Sequence, residues 1–415
     1  MAPLLRGALW PLLHLGGDRA HPARAGRTGA VVTRVTGPWL ERPATQTVLG
    51  MLEAGGHQAL AVGGCVRNAL LGEPVSDVDI ATDARPERVM ALARAAGLRP
   101  VPTGVEHGTV TVVADGTGYE VTTFRHDVET DGRRAVVAFA DELSDDAHRR
   151  DFTMNALYAR ADGTVIDPLG GLADLNARRV RFIDDPAARI REDYLRILRF
   201  FRFHAWYGDA EAGLDRDGLA ACAELAGGLD SLSRERVGAE LSKLLAAPDP
   251  APGVAAMAQA GILARILPGA DPRALPLLVH CEGAAGIAAD WRRRLAALGG
   301  APDNLRLSRK DARRVALLRT CAGSSDTVAA LGYRHGAEAA LDIALLRAAL
   351  LETPLPADAA AQAARGAAAT FPVAARDLMP GLDGPELGER LKWLEEAWIA
   401  SDFTLTRAEL LAGKD

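Results

Sequence analysis

The sequence predicts an α+β protein, with a small mixed or antiparallel sheet in the first part of the chain and helices alone in the rest. Three observations carry that prediction. Gly108–Ala114 and Tyr119–Arg125 alternate β-branched residues around an Asp-Gly-Thr-Gly turn, the pattern of a hairpin. A glycine pair, Gly63 and Gly64, separates a short apolar run from a helical one. Beyond Asp174 the strand signals stop and runs of helical period follow one another. At 415 residues the chain is too long for one core, so several domains are expected.

In chain order, residues 1–32 show no readable periodicity and are expected to be a disordered extension. The apolar stretch Pro3–Leu15 is broken by Arg6 and Pro11, and no clean small-residue cleavage site follows it, so a signal peptide is not expected. A helix over Pro43–Gly55 leads to a buried strand at Ala59–Val62. A helix ending near Leu71 follows the Gly-Gly turn, then a strand through Val78–Ala81. Arg85–Ala96 carries Val89, Leu92 and Ala93 at helical spacing. After the hairpin, the polar stretch Asp127–Arg134 reads as a mobile loop before a further strand at Ala135–Phe139. Helices are expected over Arg189–Trp206, Arg234–Ala246, Ala251–Ile266, Ser308–Arg319, Ala337–Leu351 and Leu387–Ala400. Ser308 and Asp311 form a capping box on one of them. Proline and glycine clusters at Leu267–Ala274, Gly299–Asp303 and Thr353–Ala357 mark breaks, and no internal repeat is present.

Composition narrows the function. A net charge of −6 argues by itself against a nucleic-acid partner, yet nine Lys or Arg against two Asp lie between Trp291 and Arg319. That segment reads either as a face for nucleic-acid phosphates or as a solvated helix surface. Four cysteines with no CxxC pair are expected to be reduced thiols of a cytoplasmic protein. No apolar run reaches the roughly 20 residues that span a bilayer, so no membrane partner is expected.

The chemistry concentrates in Leu60–Asp83. Asp77 and Asp79 are one residue apart, and strand side chains alternate with period two, so both leave one face and can share a divalent cation. The competing reading is a turn between helix and strand. Asp215 and Asp217 have the same spacing without glycines ahead of them and read as surface. Gly63 and Gly64 let backbone approach a phosphate at a helix start, and Arg67 on the first turn reaches the same anion. Glu120, an acid inside an otherwise apolar strand, is the candidate third ligand; it reads equally as a solubility residue on an edge strand. Arg150 and Asp151 precede an apolar run, where they either cap a helix or touch the sugar of a nucleotide. Farther on, Asp193, Arg196, Arg199 and Arg202 share a helix that is apolar almost all round, where arginines are costly without partners.

These segments resemble the class II CCA-adding enzymes (tRNA nucleotidyltransferases) and the related bacterial poly(A) polymerases of the DNA polymerase β-like superfamily. GGCVRNALLG with SDVDIATD is similar to the family's metal and phosphate motif, EHGTVTVV and YEVTTFR to its core hairpin, and RRDFTMNAL to its ribose motif. DPLGG resembles the head–neck junction, REDYLRILRFFRF the base-recognition helix, and LSRERVGAELSKLL the neck motif after it. The resemblance covers about Val35–Leu245. It implies a catalytic head over 33–175, a helical neck over 176–250, a body over 251–345 and a tail over 346–415.

The resemblance further implies that Asp77 and Asp79 are catalytic and bind Mg²⁺, with Glu120 the further catalytic candidate read from its strand and the third metal ligand left open. Gly63, Gly64 and Arg67 would hold the triphosphate, Arg150 and Asp151 the ribose. Asp193 and Arg196 would be the protein template for the base, with Arg199 and Arg202 nearby, serving either the nucleotide or the fold. Asn68 stands where the family usually has Asp, which bears on how Arg67 is anchored. An Asp–Arg pair suits such a template because cytosine and adenine both present an amine next to a ring acceptor, whereas uracil and guanine present a carbonyl next to an N–H. The implied reaction is template-independent addition of C, C and A to a tRNA 3′ end from CTP and ATP, with pyrophosphate leaving. Asp127–Arg134 is then the element expected to help the change from C to A. Poly(A) synthesis, partial CC or A addition and an inactive RNA-binding relative are the alternatives. The ending LTRAELLAGKD lacks the long basic extension expected of poly(A) polymerases.

Overall fold

A computed structural model describes residues 33–131, 134–379 and 381–413. The extension expected over residues 1–32 lies outside them. Nine strands lie among the described residues: β1 (Leu60–Val62), β2 (Asp79–Thr82), β3 (Arg99–Gly104), β4 (Thr109–Ala114), β5 (Thr117–Thr123), β6 (Arg125–Asp131), β7 (Arg134–Phe139), β8 (Tyr158–Ala159) and β9 (Val165–Ile166). Seven of them make one sheet in the order β3-β4-β5-β2-β1-β8-β9, and β6 with β7 forms a separate ribbon. The β2–β5 pair is parallel and the other pairs are antiparallel, so the sheet is mixed. The expected hairpin is present. Its two-residue loop, Asp115 (φ 47°) and Gly116 (φ 75°), has the double positive φ that matches strand twist.

Burial alternates along β4 and β5 as the sequence pattern requires, with Val110, Val112, Ala114, Tyr119 and Val121 inward. On that face the helices Pro43–Ala54 and Pro86–Ala95 cover the sheet with Val48, Leu49, Leu52, Val89 and Ala93. A second, smaller cluster of Leu60, Val62, Ala81, Phe124, Tyr158 and Ile183 packs separately. Phe152, Phe182 and Phe200, with ring centroids 4.9 and 5.4 Å apart in succession, carry the main core from the sheet into the helices. A third cluster around Leu394, Trp398 and Leu410 holds the last helices together. No helix among the described residues is long and apolar enough to cross a membrane.

Several elements depart from the sequence reading. Arg189–Trp206 is two helices, Pro186–Glu192 and Leu195–Tyr207. Asp193 between them is extended (φ −153°, ψ 105°), and its Oδ1 accepts from the Leu195 N–H at 3.1 Å. The carboxylate thus competes with helix continuation and starts the second helix. Ala251–Ile266 also divides, at Gly261 with φ 71°. The polar stretch expected to be a loop is the β6–β7 ribbon, paired from Arg125–Phe139 to Asp131–Arg134. Asp215 accepts from the Gly218 N–H at 3.0 Å and caps the helix Arg216–Glu224, which accounts for the Asp215–Asp217 spacing without a metal.

The basic segment is only partly interior, with Arg293 and Arg294 buried and Arg306, Arg309, Lys310 and Arg313 exposed. Arg293 and Arg294, each 2% exposed, share the buried Glu282. Arg293 also meets Asp342 at 2.5 Å, and Arg294 donates to the carbonyls of Leu245, Ala247 and Pro248. Arg319 donates to the carbonyls of Leu295, Gly299 and Gly300, closing the end of the helix Trp291–Leu298.

Candidate active site

Gly63 leaves β1 with φ 72° and ψ −116°, a conformation open to glycine, and begins the helix Gly64–Leu71. A Cβ on Gly63 would only touch Nη1 of Arg150, at 3.4 Å, so it is the positive φ that calls for glycine here. The Gly63 N–H itself donates to the Leu157 carbonyl at 3.0 Å. The N–H groups left for an anion are therefore those from Gly64 onward, at the positive end of the helix.

Arg67 is 7% exposed. Its Nη1 donates to Asn155 Oδ1 at 2.5 Å, its Nε and Nη2 to Asn68 Oδ1 at 3.2 and 2.9 Å, and its Nη2 also to the Tyr207 hydroxyl at 2.9 Å. The guanidinium lies 4.1 Å from the Tyr207 ring centre. Asn68 donates in turn to the Pro74 carbonyl at 2.9 Å. The amide thus holds Arg67 as a carboxylate would and adds a bond that a carboxylate cannot make. All of these partners are neutral. Burial pulls the Arg67 pKa down from its ordinary value.

Asp79 opens β2 in parallel register with Glu120 of β5, so the two side chains leave the sheet on one face. Desolvation and then the charge of Glu120 hold the Asp79 carboxyl above the usual carboxylate range. Arg150 opposes them and Asp77 adds to them. Asp77, on the exposed approach to β2, accepts from the Ser76 hydroxyl at 2.9 Å. This donor set consists of acidic oxygens that crowd one another, which fits a hard divalent cation in kind. Among the described residues no three acid, histidine or cysteine side chains are gathered tightly enough to hold an ion as they stand.

Arg150 is tied by Nε and Nη2 to Asp146 Oδ2 at 3.1 and 2.9 Å, and by Nε to the Tyr158 hydroxyl at 3.1 Å. Asp151 accepts from the Phe152 N–H and Asn155 Nδ2 on one oxygen, and from both Nε and Nη2 of Arg199 on the other. Its acceptor positions are filled, so it works here as an anchor between the sheet and the helix Leu195–Tyr207. Burial alone would raise the Asp151 carboxyl, but Arg199 and Asn155 pull it down to about 2. Arg202 pairs with the buried Glu240 at 2.6 Å. Arg67, Arg199 and Arg202 lie 5.2, 5.2 and 4.5 Å from the ring centre of Phe203, three cations around one aromatic ring.

Asp193 and Arg196 are near one another in sequence but do not pair. Asp193 Oδ2 accepts from Arg236 Nη2 at 2.6 Å, whereas Arg196 binds Glu192 at 2.6 Å and the carbonyls of Arg189 and Arg149. Sequence reasoning missed Asp146 and Asn155. An acid three and four residues ahead of Arg149 and Arg150 was the signal for the first, and a lone amide inside the apolar run FTMNALY the signal for the second.

Residues 59–181 match the model of the poly A polymerase head domain, and residues 213–273 that of a probable RNA and SrmB-binding site of polymerase A. A CCA-adding enzyme of Geobacillus thermodenitrificans is 42% identical over 233 residues, 55% of this chain and 56% of that protein. The mitochondrial CCA tRNA nucleotidyltransferase 1 of Mus musculus is 44% identical over 190 residues, 46% of this chain and 44% of its own. The crystal structure of the Bacillus stearothermophilus CCA-adding enzyme in complex with CTP superposes with a TM-score of 0.66 at 30% identity, over 86% of this chain and 93% of that one. The chain belongs to the class II CCA-adding enzyme and poly(A) polymerase family. Nucleotidyltransferases of this family use divalent metals. The alignment spans about half the length of the curated relatives. The Thermotoga maritima CCA-adding enzyme complexed with tRNA shares the fold at 18% identity, with a TM-score of 0.63.

Proposed function

We propose that this chain adds C, C and A to the 3′ end of tRNA without a nucleic-acid template, using CTP and ATP and releasing pyrophosphate. One observation carries the proposal: Arg67, buried at the glycine turn, has only neutral hydrogen-bonding partners. Asp151 eases the burial of this cation through its charge but makes no hydrogen bond to it, and a triphosphate would supply a directly facing charge. Four of its five N–H donors are engaged, so Arg67 acts through its charge and one remaining Nη1 proton. The N–H groups from Gly64 onward and Nη1 of Arg150 complete the cradle, with Arg150 also reaching the ribose. The names of the curated relatives and of the CTP-bound structure support the same reading.

Asp77 and Asp79, with Glu120, would hold the metal, which we take to be Mg²⁺. When bound, it stabilises negative charge on the reacting phosphate oxygens. The chain's own residues orient the nucleotide so that the tRNA 3′-hydroxyl oxygen attacks the α-phosphorus in line with departing pyrophosphate. Asp193 and Arg196, at the break between two helices, read the base edge, and Arg199 and Arg202 shape the wall behind it. Residues 33–175, 176–250, 251–345 and 346–415 serve as catalytic head, neck, body and tail of a cytoplasmic enzyme.

The test is incubation of the purified chain with tRNA lacking its CCA end, Mg²⁺ and single or mixed nucleotides, with products resolved at single-nucleotide length. Three additions ending in A are expected. A long A ladder would assign poly(A) synthesis instead, a stop after CC would assign partial addition, and no extension would overturn the proposal.

A further inference from the structure

Asp146 is fully buried, as is Tyr158. Neither belongs to the residues that meet nucleotide, yet they bind Arg150 from two sides. Asp146 Oδ1 accepts from Nε and Nη2 of Arg149 at 2.8 and 2.6 Å. Its Oδ2 accepts from Nε and Nη2 of Arg150 and from the Tyr158 hydroxyl at 2.7 Å. The Tyr158 ring centre lies 5.3 Å from the Arg150 guanidinium carbon. With Nε and Nη2 both held, the plane of the guanidinium is fixed and Nη1 is its free edge. That edge is the one 3.4 Å from where Gly63 would carry a Cβ.

A buried ion triad is a weak stabiliser, since apolar residues of similar volume fill such a site as well or better. What it supplies that apolar packing cannot is orientation. It also reaches the base side of the site, because the carbonyl of Arg149, the other arginine held by Asp146, accepts from Nη2 of Arg196 at 3.0 Å. We propose that Asp146 and Tyr158 are positioning residues: they aim Arg150 at the phosphates and ribose of the incoming nucleotide, and through Arg149 they steady Arg196. This rests on the reading that the glycine turn receives a nucleoside triphosphate.

Five proteins test it: wild type, Asp146→Asn, Tyr158→Phe, Arg150→Ala and the Asp146→Asn/Arg150→Ala double variant that closes the cycle. Tyr158→Phe removes one hydroxyl and keeps the ring, so it reports even where Asp146→Asn fails to fold. KM for CTP and ATP should rise about tenfold for both nucleotides, with kcat within about twofold, the size typical of residues that orient a contacting group. Asp146→Asn should lose much less on the Arg150→Ala background than on wild type, since only the route through Arg149 and Arg196 remains to be lost. Unchanged KM in Tyr158→Phe, losses that add in the double variant, or activity that falls only in step with melting temperature would each overturn the proposal. Equilibrium CTP and ATP binding without tRNA separates it from the reading beneath it. Wild type that binds CTP but does not extend tRNA sinks CCA addition, and the positioning role is then judged on Kd in the same cycle. Wild type that binds neither nucleotide sinks both.

Discussion

Asp79 and Asp151 are both aspartates beside arginines, and their surroundings give them opposite work. Asp79 is desolvated and crowded by Glu120 and Asp77, and it keeps its proton more readily than an ordinary carboxyl. Asp79→Ala should therefore lower incorporation of both C and A by roughly a thousandfold while the circular dichroism spectrum stays that of wild type. Residual activity near wild type would remove Asp79 from the chemistry. Asp151 and Asp146 are each pulled down to about 2 by arginines. Since the unfolded carboxyl titrates near 3.9, the unfolded chain binds more protons between those values, and stability rises with pH across that window. Each group should contribute roughly 2–3 kcal/mol at neutral pH, kept above about pH 4 and lost as pH falls toward 2. Urea unfolding of wild type and Asp151→Asn at pH 3 and pH 6 checks this, with the variant expected to show the flatter dependence. Gly63, Gly64 and Arg67 stand where their spacing put them, at one turn and the start of its helix, whereas of the paired aspartates only Asp79 lies in the strand and Asp77 precedes it. Asp146 and Asn155 were not legible in the sequence, because their partners Tyr158 and Arg67 come from elements whose contact only the fold creates.

Elements with a strong period were read correctly and those governed by a single side chain were not. β4 and β5 alternate over six and seven residues and were plain in the sequence. β8 and β9 have two residues each, too few for a period, and β3 carries two prolines at the edge of the sheet. The break at Asp193 escaped detection because the residues around it are apolar at helical spacing. It places Asp193 at a helix start, paired with Arg236 rather than with Arg196. Asp193→Ala should then relax base choice, raising UTP incorporation relative to CTP by about tenfold, with single-nucleotide extension as the readout. Unchanged discrimination would refute the template role. Helix packing farther along sets a different constraint. A Cβ on Gly366 would stand 1.8 Å from the Ala329 carbonyl oxygen, in the crossing of the helices Val328–His335 and Ala359–Ala368. Gly366→Ala should destabilise by about 1–3 kcal/mol in thermal unfolding, with nucleotide KM unchanged.

At the scale of the whole molecule, composition misleads about where RNA would lie. Net charge is −6, and the segment between Trp291 and Arg319 is the strongly basic exception. Much of that charge is engaged within the protein. Arg293 and Arg294 are buried on Glu282, Arg292 binds Asp311, Arg314 binds Asp342, and Arg319 caps carbonyls. Arg293→Ala would leave Glu282 and Asp342 short of a buried cation and should cost about 3–5 kcal/mol of stability. Arg309, Lys310 and Arg313 differ. They are exposed on the first turns of the helix Arg309–Ala322, and no hydrogen bond or ion pair engages them among the described residues. Unspent cations on one helix end suit phosphates, whose binding is sequence-independent and releases counterions. Each phosphate that a cation neutralises adds roughly 0.7–0.9 to the slope of log Kd against log salt. Replacing all three by Ala should therefore weaken tRNA binding and reduce that slope by about two. At saturating tRNA the turnover number should stay near wild type, because the carboxylates proposed to hold the metal lie on and beside the sheet and not on this helix. A salt slope equal to that of wild type would assign these residues to solvent and move the RNA path elsewhere on the helical arm.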